Sequence, residues 1–291
     1  MRTLSTVRIV TALGWFVVLV LTLAVVATPV LAGTLRCPPD SVKVGPTCVD
    51  KYEASVWQIA PSNTALVQKV QAGTATRADL TAAGATPLGC SDGHPWPANF
   101  PDDGNWTPVS GSSPPSPGVY AVSIPGVKPA ICVTWFQANQ ACALSGKRLL
   151  RNDEWQRAAA GTPDPGTTPG PNDCNTNSGS GGPANTGGRT NCKSSWGVFD
   201  MVGNVNEWVA DWADRANACT DWASTVRFSD GDSSCFGGNS GSGGPGDVQS
   251  LPGTLTRGGQ WDSREMAGVF AVDAGPAPSS SLIELGFRCA R

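Results

Sequence analysis

Apolar positions along this chain come in short bursts separated by Gly, Pro and Ser, and one run alone is long, Ile9 to Ala27. The bursts predict short strands at Ser41–Val44, Ala121–Ile124, Ala130–Thr134, Val269–Val272 and Gly286–Ala290. Helix signals are fewer. In Thr134-Trp135-Phe136-Gln137 the hydroxyl is placed to cap the Gln137 amide while the Gln137 side chain returns the bond, and Gly146 supplies a left-handed stop, so a helix is predicted over about 135–145. A second is predicted from Asn152 to Gly161, with Asp153 and Glu154 at the positive end of the helix dipole and an apolar face of Trp155 and Ala158 to Ala160. The class is α+β with much irregular chain.

The long apolar run follows Arg2 and Arg8 with no acid before it, and Val30-Leu31-Ala32 offers small side chains ahead of Gly33. Residues 1–32 therefore read as a secretory signal peptide cut after Ala32. The rival reading is an uncleaved anchor, since about 20 apolar residues can span a bilayer, and only then is the membrane a partner. Export places the product in the periplasm, at the cell surface or outside the cell.

Composition adds that the remainder is one domain, 33–291, with long loops. Gly (35) and Pro (24) are abundant and charged residues make up only 15%, which excludes a helical bundle, whereas 11 Trp, 10 Cys and 40% apolar residues exclude a disordered chain. The loops fall near 61–118, 161–195 and 216–253, where Pro, Gly, Ser and Asn cluster. With Arg2 and Arg8 set aside, 18 basic against 23 acidic side chains leave a charge of −5, so nucleic acid is not an expected partner.

All ten cysteines follow the leader, and an even count in an exported chain points to disulfides. A metal site would want C-x-x-C pairs or interleaved His, and the chain has no such pair and one His, His94. That lone His also leaves a Ser-His-Asp hydrolase without support. Many pairings are open, but Cys37/Cys48, Cys174/Cys192 and Cys219/Cys235 are local neighbours around turns.

Four dense segments carry a resemblance. They are Cys48-Val49-Asp50-Lys51-Tyr52-Glu53-Ala54-Ser55; Val133-Thr134-Trp135 running to Gly146-Lys147-Arg148-Leu149-Leu150 and Asn152-Asp153-Glu154-Trp155; Gly197 to Trp212, with DMVGNVNEW at 200–208; and Thr256-Arg257-Gly258-Gly259-Gln260-Trp261 with Gly286-Phe287-Arg288-Cys289-Ala290-Arg291. In this order they closely resemble the formylglycine-generating enzyme, or sulfatase-modifying factor, family, whose fold is a variant of the C-type lectin fold. The resemblance covers most of 37–291, with the long loops unmatched.

The resemblance implies a calcium site made by Asp200, Gly203, Val205 and Glu207, and those residues suit it chemically: two hard carboxylates flank carbonyls in a tightly bent stretch. A second family calcium site begins near Asn175 and Thr176, where no acidic partner can be placed. The family's enzymes oxidise a substrate Cys to formylglycine with copper held by two thiolates, whose positions here are Ser263 and Gly268. Neither is a soft ligand, so no copper and no such oxidation are expected. The family disulfide between the first helix and the C-terminal strand matches Cys142 and Cys289, which leaves Cys90 for Cys132.

What remains is the surface at 260–285, the binding face in lectin-type folds of this subclass. Trp261 is expected to anchor it, with Asp262, Ser263, Arg264, Glu265 and Asp273 offered to a ligand. The succession GGQW, AGVFA, APSSS and GFRCAR also resembles variable ligand-binding proteins of diversity-generating retroelements. The expected function is thus a secreted, calcium-stabilised, non-catalytic domain that binds a protein or glycan. The alternatives are a family enzyme acting without the usual cysteines and a structural envelope protein.

Overall fold

The structure, a computed structural model, describes residues 35–89, 117–213 and 253–291. The leader, Cys90, Cys219, Cys235 and nearly all of the 216–253 loop lie outside them. In chain order the elements are β1 (Ser41–Val44), β2 (Thr47–Asp50), β3 (Ser55–Ile59), α1 (Thr64–Gln71), α2 (Arg77–Ala82), β4 (Thr86–Leu88), β5 (Gly118–Val122), α3 (Trp135–Leu144), β6 (Arg148–Leu149), α4 (Asn152–Ala158), β7 (Asn206–Ala213), β8 (Gly253–Arg257), β9 (Val272–Asp273), β10 (Leu285–Phe287) and β11 (Cys289–Ala290). The class is the α+β expected.

The strands make three small sheets, ordered β1-β2-β11-β6, β10-β7-β8-β9 and β4-β3-β5. In the third, residue alternation feeds two cores. Val56, Val119 and Ala121 point to one side with Trp208, Phe287 and the inner face of α3. Trp57, Ile59, Tyr120 and Val122 point to the other, where Leu66 and Val70 of α1 and Leu80 of α2 cover them. A third cluster packs Trp155 of α4 against Val49, Met201, Val209 and Leu255.

The Thr134 and Gln137 capping box forms as the sequence predicts, with Thr134 N donating to Gln137 Oε1 at 3.0 Å and Gln137 N to Thr134 Oγ1 at 3.2 Å. The helix at Asn152 ends at Ala158, three residues before Gly161. Three strand expectations need correction. Ala130–Thr134 is not a strand: Cys132 has φ 58, and the Ala130 and Cys132 amides donate to Ala54 and Leu282, two separate segments. Val269–Val272 shrinks to β9, because the Ala271 amide closes a turn onto Gly268. Gly286–Ala290 is two strands in two different sheets, divided at Arg288. The region near 61–118 is also not all loop, since it holds α1, α2 and β4.

Three disulfides join Cys37–Cys48, Cys142–Cys289 and Cys174–Cys192. Cys132 is disulfide-bonded as well; its expected partner Cys90 lies outside the described residues. No helix of the described residues is long and apolar enough to cross a membrane.

Candidate functional site

The bend between Asp200 and Glu207 is built from left-handed backbone: Asp200 (φ 59), Gly203 (φ 72) and Asn204 (φ 64). At Gly203 no side chain fits, because a Cβ would lie 2.3 Å from the Asn175 carbonyl oxygen. Neighbouring segments pin the bend in place. The Gly203 amide donates to Gly258 O at 3.1 Å, the Asn204 amide to Asn175 O at 2.9 Å, and the Trp261 amide to Asn204 O at 3.1 Å. Buried Asn204 fastens it from within, accepting from the Ala184 amide at 2.7 Å and donating to Glu53 Oε2 at 2.5 Å.

Glu53 is the residue that sequence reasoning missed at this site. Fully buried, it also accepts from the Val205 amide at 3.2 Å. Its signal lay in its place within the Asp50-Lys51-Tyr52-Glu53 segment, which nothing local connects to residue 205. Asp200 accepts from the Gly187 amide at 2.7 Å, and Glu207 accepts from Trp155 Nε1 at 2.7 Å and from Arg288. Burial pushes the Asp200 carboxyl up to about 7, and holds Glu53 well above the usual carboxylate range, with Asp200 and Glu207 adding to that rise. Three buried carboxyls thus face one buried guanidinium, a surplus of negative charge that protons or a hard cation would cancel. No three His, Cys, Asp or Glu side chains among the described residues converge as a ready-made metal cage. A cation at this bend therefore also needs main-chain oxygens, such as the Gly203 and Val205 carbonyls.

At Asn175, where the second family calcium site would begin, the chain brings its own cation. The Arg189 guanidinium donates to the carbonyls of Gly170 at 3.1 Å and Pro171 at 2.8 Å, with Asn175 Oδ1 at 3.4 Å. Asn175 is itself buried.

The surface at 260–285 divides. Trp261 is buried beside Ile131 and Val205, and Asp262, Ser263, Arg264 and Glu265 follow on one tight turn, with Arg264 at φ 52 and its Nε 3.5 Å from Asp262 Oδ1. Asp273 is placed apart from them, in β9, where its carboxylate accepts from the Gly275 amide at 2.7 Å. Ser263 Oγ is occupied by the Gln260 amide at 2.9 Å, and a Cβ at Gly268 would meet Asp164 Oδ2 at 3.1 Å. Every described cysteine is in a disulfide, so this donor set does not fit copper. The same segment exposes Met266 (51%), Phe270 (64%), Leu282 (49%) and Ile283 (39%), which the sequence-based choice of polar groups passed over.

The sulfatase-modifying factor enzyme 1-like domain model matches residues 36–291. The chain belongs to the sulfatase-modifying factor family. Family membership agrees with the loop-rich α+β architecture and its C-type lectin-like variant. No curated protein matches the chain. Among solved structures, PvdO from Pseudomonas aeruginosa is 20% identical, with 84% of this chain and 80% of that one covered, at TM-score 0.42. The Major Tropism Determinant U1 variant is 22% identical over 54% of this chain, at TM-score 0.36, and the match spans only 37% of that protein's length. Treponema denticola variable protein 1 is 24% identical over 57% of this chain and 71% of that one, at TM-score 0.35.

Proposed function

We propose that this member of the sulfatase-modifying factor family is an exported, non-catalytic binding domain that presents the 260–285 segment to a protein ligand and carries calcium in the Asp200 to Glu207 bend. The observation that carries the reading is the character of that segment. Where the family's oxidases need two thiolates, this chain has a hydroxyl already hydrogen-bonded and a glycine. Four of the eight large exposed apolar side chains among the described residues fall within it, which supports a protein as the ligand. Export is supported by the disulfides, which persist in oxidising compartments. For calcium, Asp200 supplies a carboxylate, Gly203 and Val205 supply carbonyls, and Glu53 adds charge behind them, while Glu207, whose oxygens accept from Arg288 and Trp155, would exchange part of that bonding to join; bound there, the ion would lock the bend that supports Trp261.

The test is capture from the native envelope with the intact protein and with a Met266→Ser/Phe270→Ser variant of equal melting temperature. A partner retained by the first and lost by the second is expected. Equal retention would end the assignment of this surface. In parallel, incubation with copper, oxygen and a sulfatase-type Cys peptide should yield no aldehyde by mass spectrometry. An aldehyde product would put the catalytic alternative in its place.

A further inference from the structure

A concavity that shares no lining residue with the 260–285 segment lies between the β4-β3 edge and the 126–128 turn. Its volume is about 280 Å³, just under the roughly 300 Å³ at which pockets for drug-sized ligands begin. Trp57 and its cross-strand partner Pro87 form the apolar side, and Arg77 and Lys128 line the polar side. Among the described residues the lining holds no carboxylate, although acids outnumber bases in the chain as a whole. Arg77 reaches one carbonyl, Gly126 O at 3.4 Å, and Lys128 donates to the Pro183 carbonyl. Neither has a carboxylate partner among the described residues. Burial lowers the Lys128 ammonium below its usual value, and a bound anion would relieve that cost.

We infer that this cleft binds a small organic acid, its carboxylate held between Lys128 and Arg77 and its apolar body laid along Trp57 and Pro87. Two cations with no carboxylate beside them among the described residues favour an anion; the apolar side separates an organic acid from inorganic phosphate or sulfate; and the limited volume favours a free small molecule over an extended chain. The site shares no residue with the calcium bend or the 260–285 surface, so it stands whether or not the binding-domain reading does.

The probe is phenylbutyrate, titrated calorimetrically into the full protein, with phenylbutyramide as its uncharged counterpart. A ligand of this size should bind with a dissociation constant on the order of 1 mM, with the amide roughly tenfold weaker. Lys128→Met and Arg77→Met should each weaken phenylbutyrate by about tenfold or more, leaving the melting temperature and the amide affinity in place. Because Arg77 is exposed at the start of α2, its variant tests the site even if Lys128→Met fails to fold. Absence of saturable binding, equal affinity for acid and amide, or unchanged affinity in the Arg77 variant would overturn the inference. So would tighter binding of an extended peptide ending in a free carboxylate, or of phosphate.

Discussion

Arg288 lies wholly buried and holds both carboxylate oxygens of Glu207, its Nε 2.9 Å from each and its second terminal nitrogen 2.6 Å from Oε1. The same guanidinium donates to Asp50 O at 3.1 Å and Phe199 O at 2.8 Å. It therefore ties β2, the approach to the Asp200 to Glu207 bend and β7 together from the one residue between β10 and β11. Replacing one partner strands the other charge in the core. Arg288→Met should cost about 3 to 5 kcal/mol by urea unfolding, and adding Glu207→Gln should restore part of that loss. A loss that simply adds would show that the pair is not coupled.

Calcium at the bend would stabilise only the folded state. Raising free Ca²⁺ to a hundred times its dissociation constant should contribute about 2.7 kcal/mol and raise the melting temperature of a chelator-stripped sample. Asp200→Asn should remove the rise. It leaves the Arg288 pair intact, so the loss would report on the ion and not on the ion pair.

The Cys142–Cys289 disulfide spans 147 residues. In the chain-entropy model a loop of this length is worth roughly 4 to 5 kcal/mol. The Cys142→Ala/Cys289→Ala variant should therefore unfold at markedly lower urea than the wild type, while loss of Cys37–Cys48, which closes 11 residues, should shift the midpoint less.

Stability should also depend on pH through Glu154. Burial alone would raise its carboxyl, but bonds from Arg148, the Arg151 amide and Thr47 bring it down to about 2 from an ordinary 4.5. A carboxyl depressed in the folded state contributes fully above its unfolded value and loses that contribution as pH falls through the folded one. The difference in unfolding free energy between wild type and Glu154→Gln should be roughly 1 to 2 kcal/mol at neutral pH, allowing for solvent screening at half-exposed Arg148. It should shrink between about pH 4.5 and pH 2. A pH-independent difference would assign the effect to packing.

Local chemistry was legible in the sequence wherever it was self-contained. The Thr134 and Gln137 box closes a helix start within four residues, and the same logic marks α2, whose Thr76 and Asp79 form a second capping box inside what reads by composition as loop. What composition hid there was the apolar pair Leu66 and Val70 and the single Leu80, too sparse to stand out yet enough to cover Trp57 and Tyr120. The Asp200 to Glu207 bend was legible as a motif, but Glu53 beneath it was not, because the contact joins residues 152 apart. The strand at 286–290 failed for a related reason. Periodicity sees one apolar run, whereas the three-dimensional partners on either side of Arg288 belong to different sheets.

That division at Arg288 also sets the order in which the domain can form. β10 joins β7 and β11 joins β2 and β6, and Arg288 reaches back 238 residues to Asp50. Until residues 285–291 have emerged, two of the three sheets among the described residues lack a member and the Cys142–Cys289 disulfide lacks a thiol. A growing chain therefore stays incompletely folded while the preceding 280 or so residues are made. Under the proposed export such delay would be a virtue: a chain still lacking its last strands would keep an unfolded, transport-competent form, and the redox conditions beyond the membrane, rather than the ribosome, would decide when the fold closes.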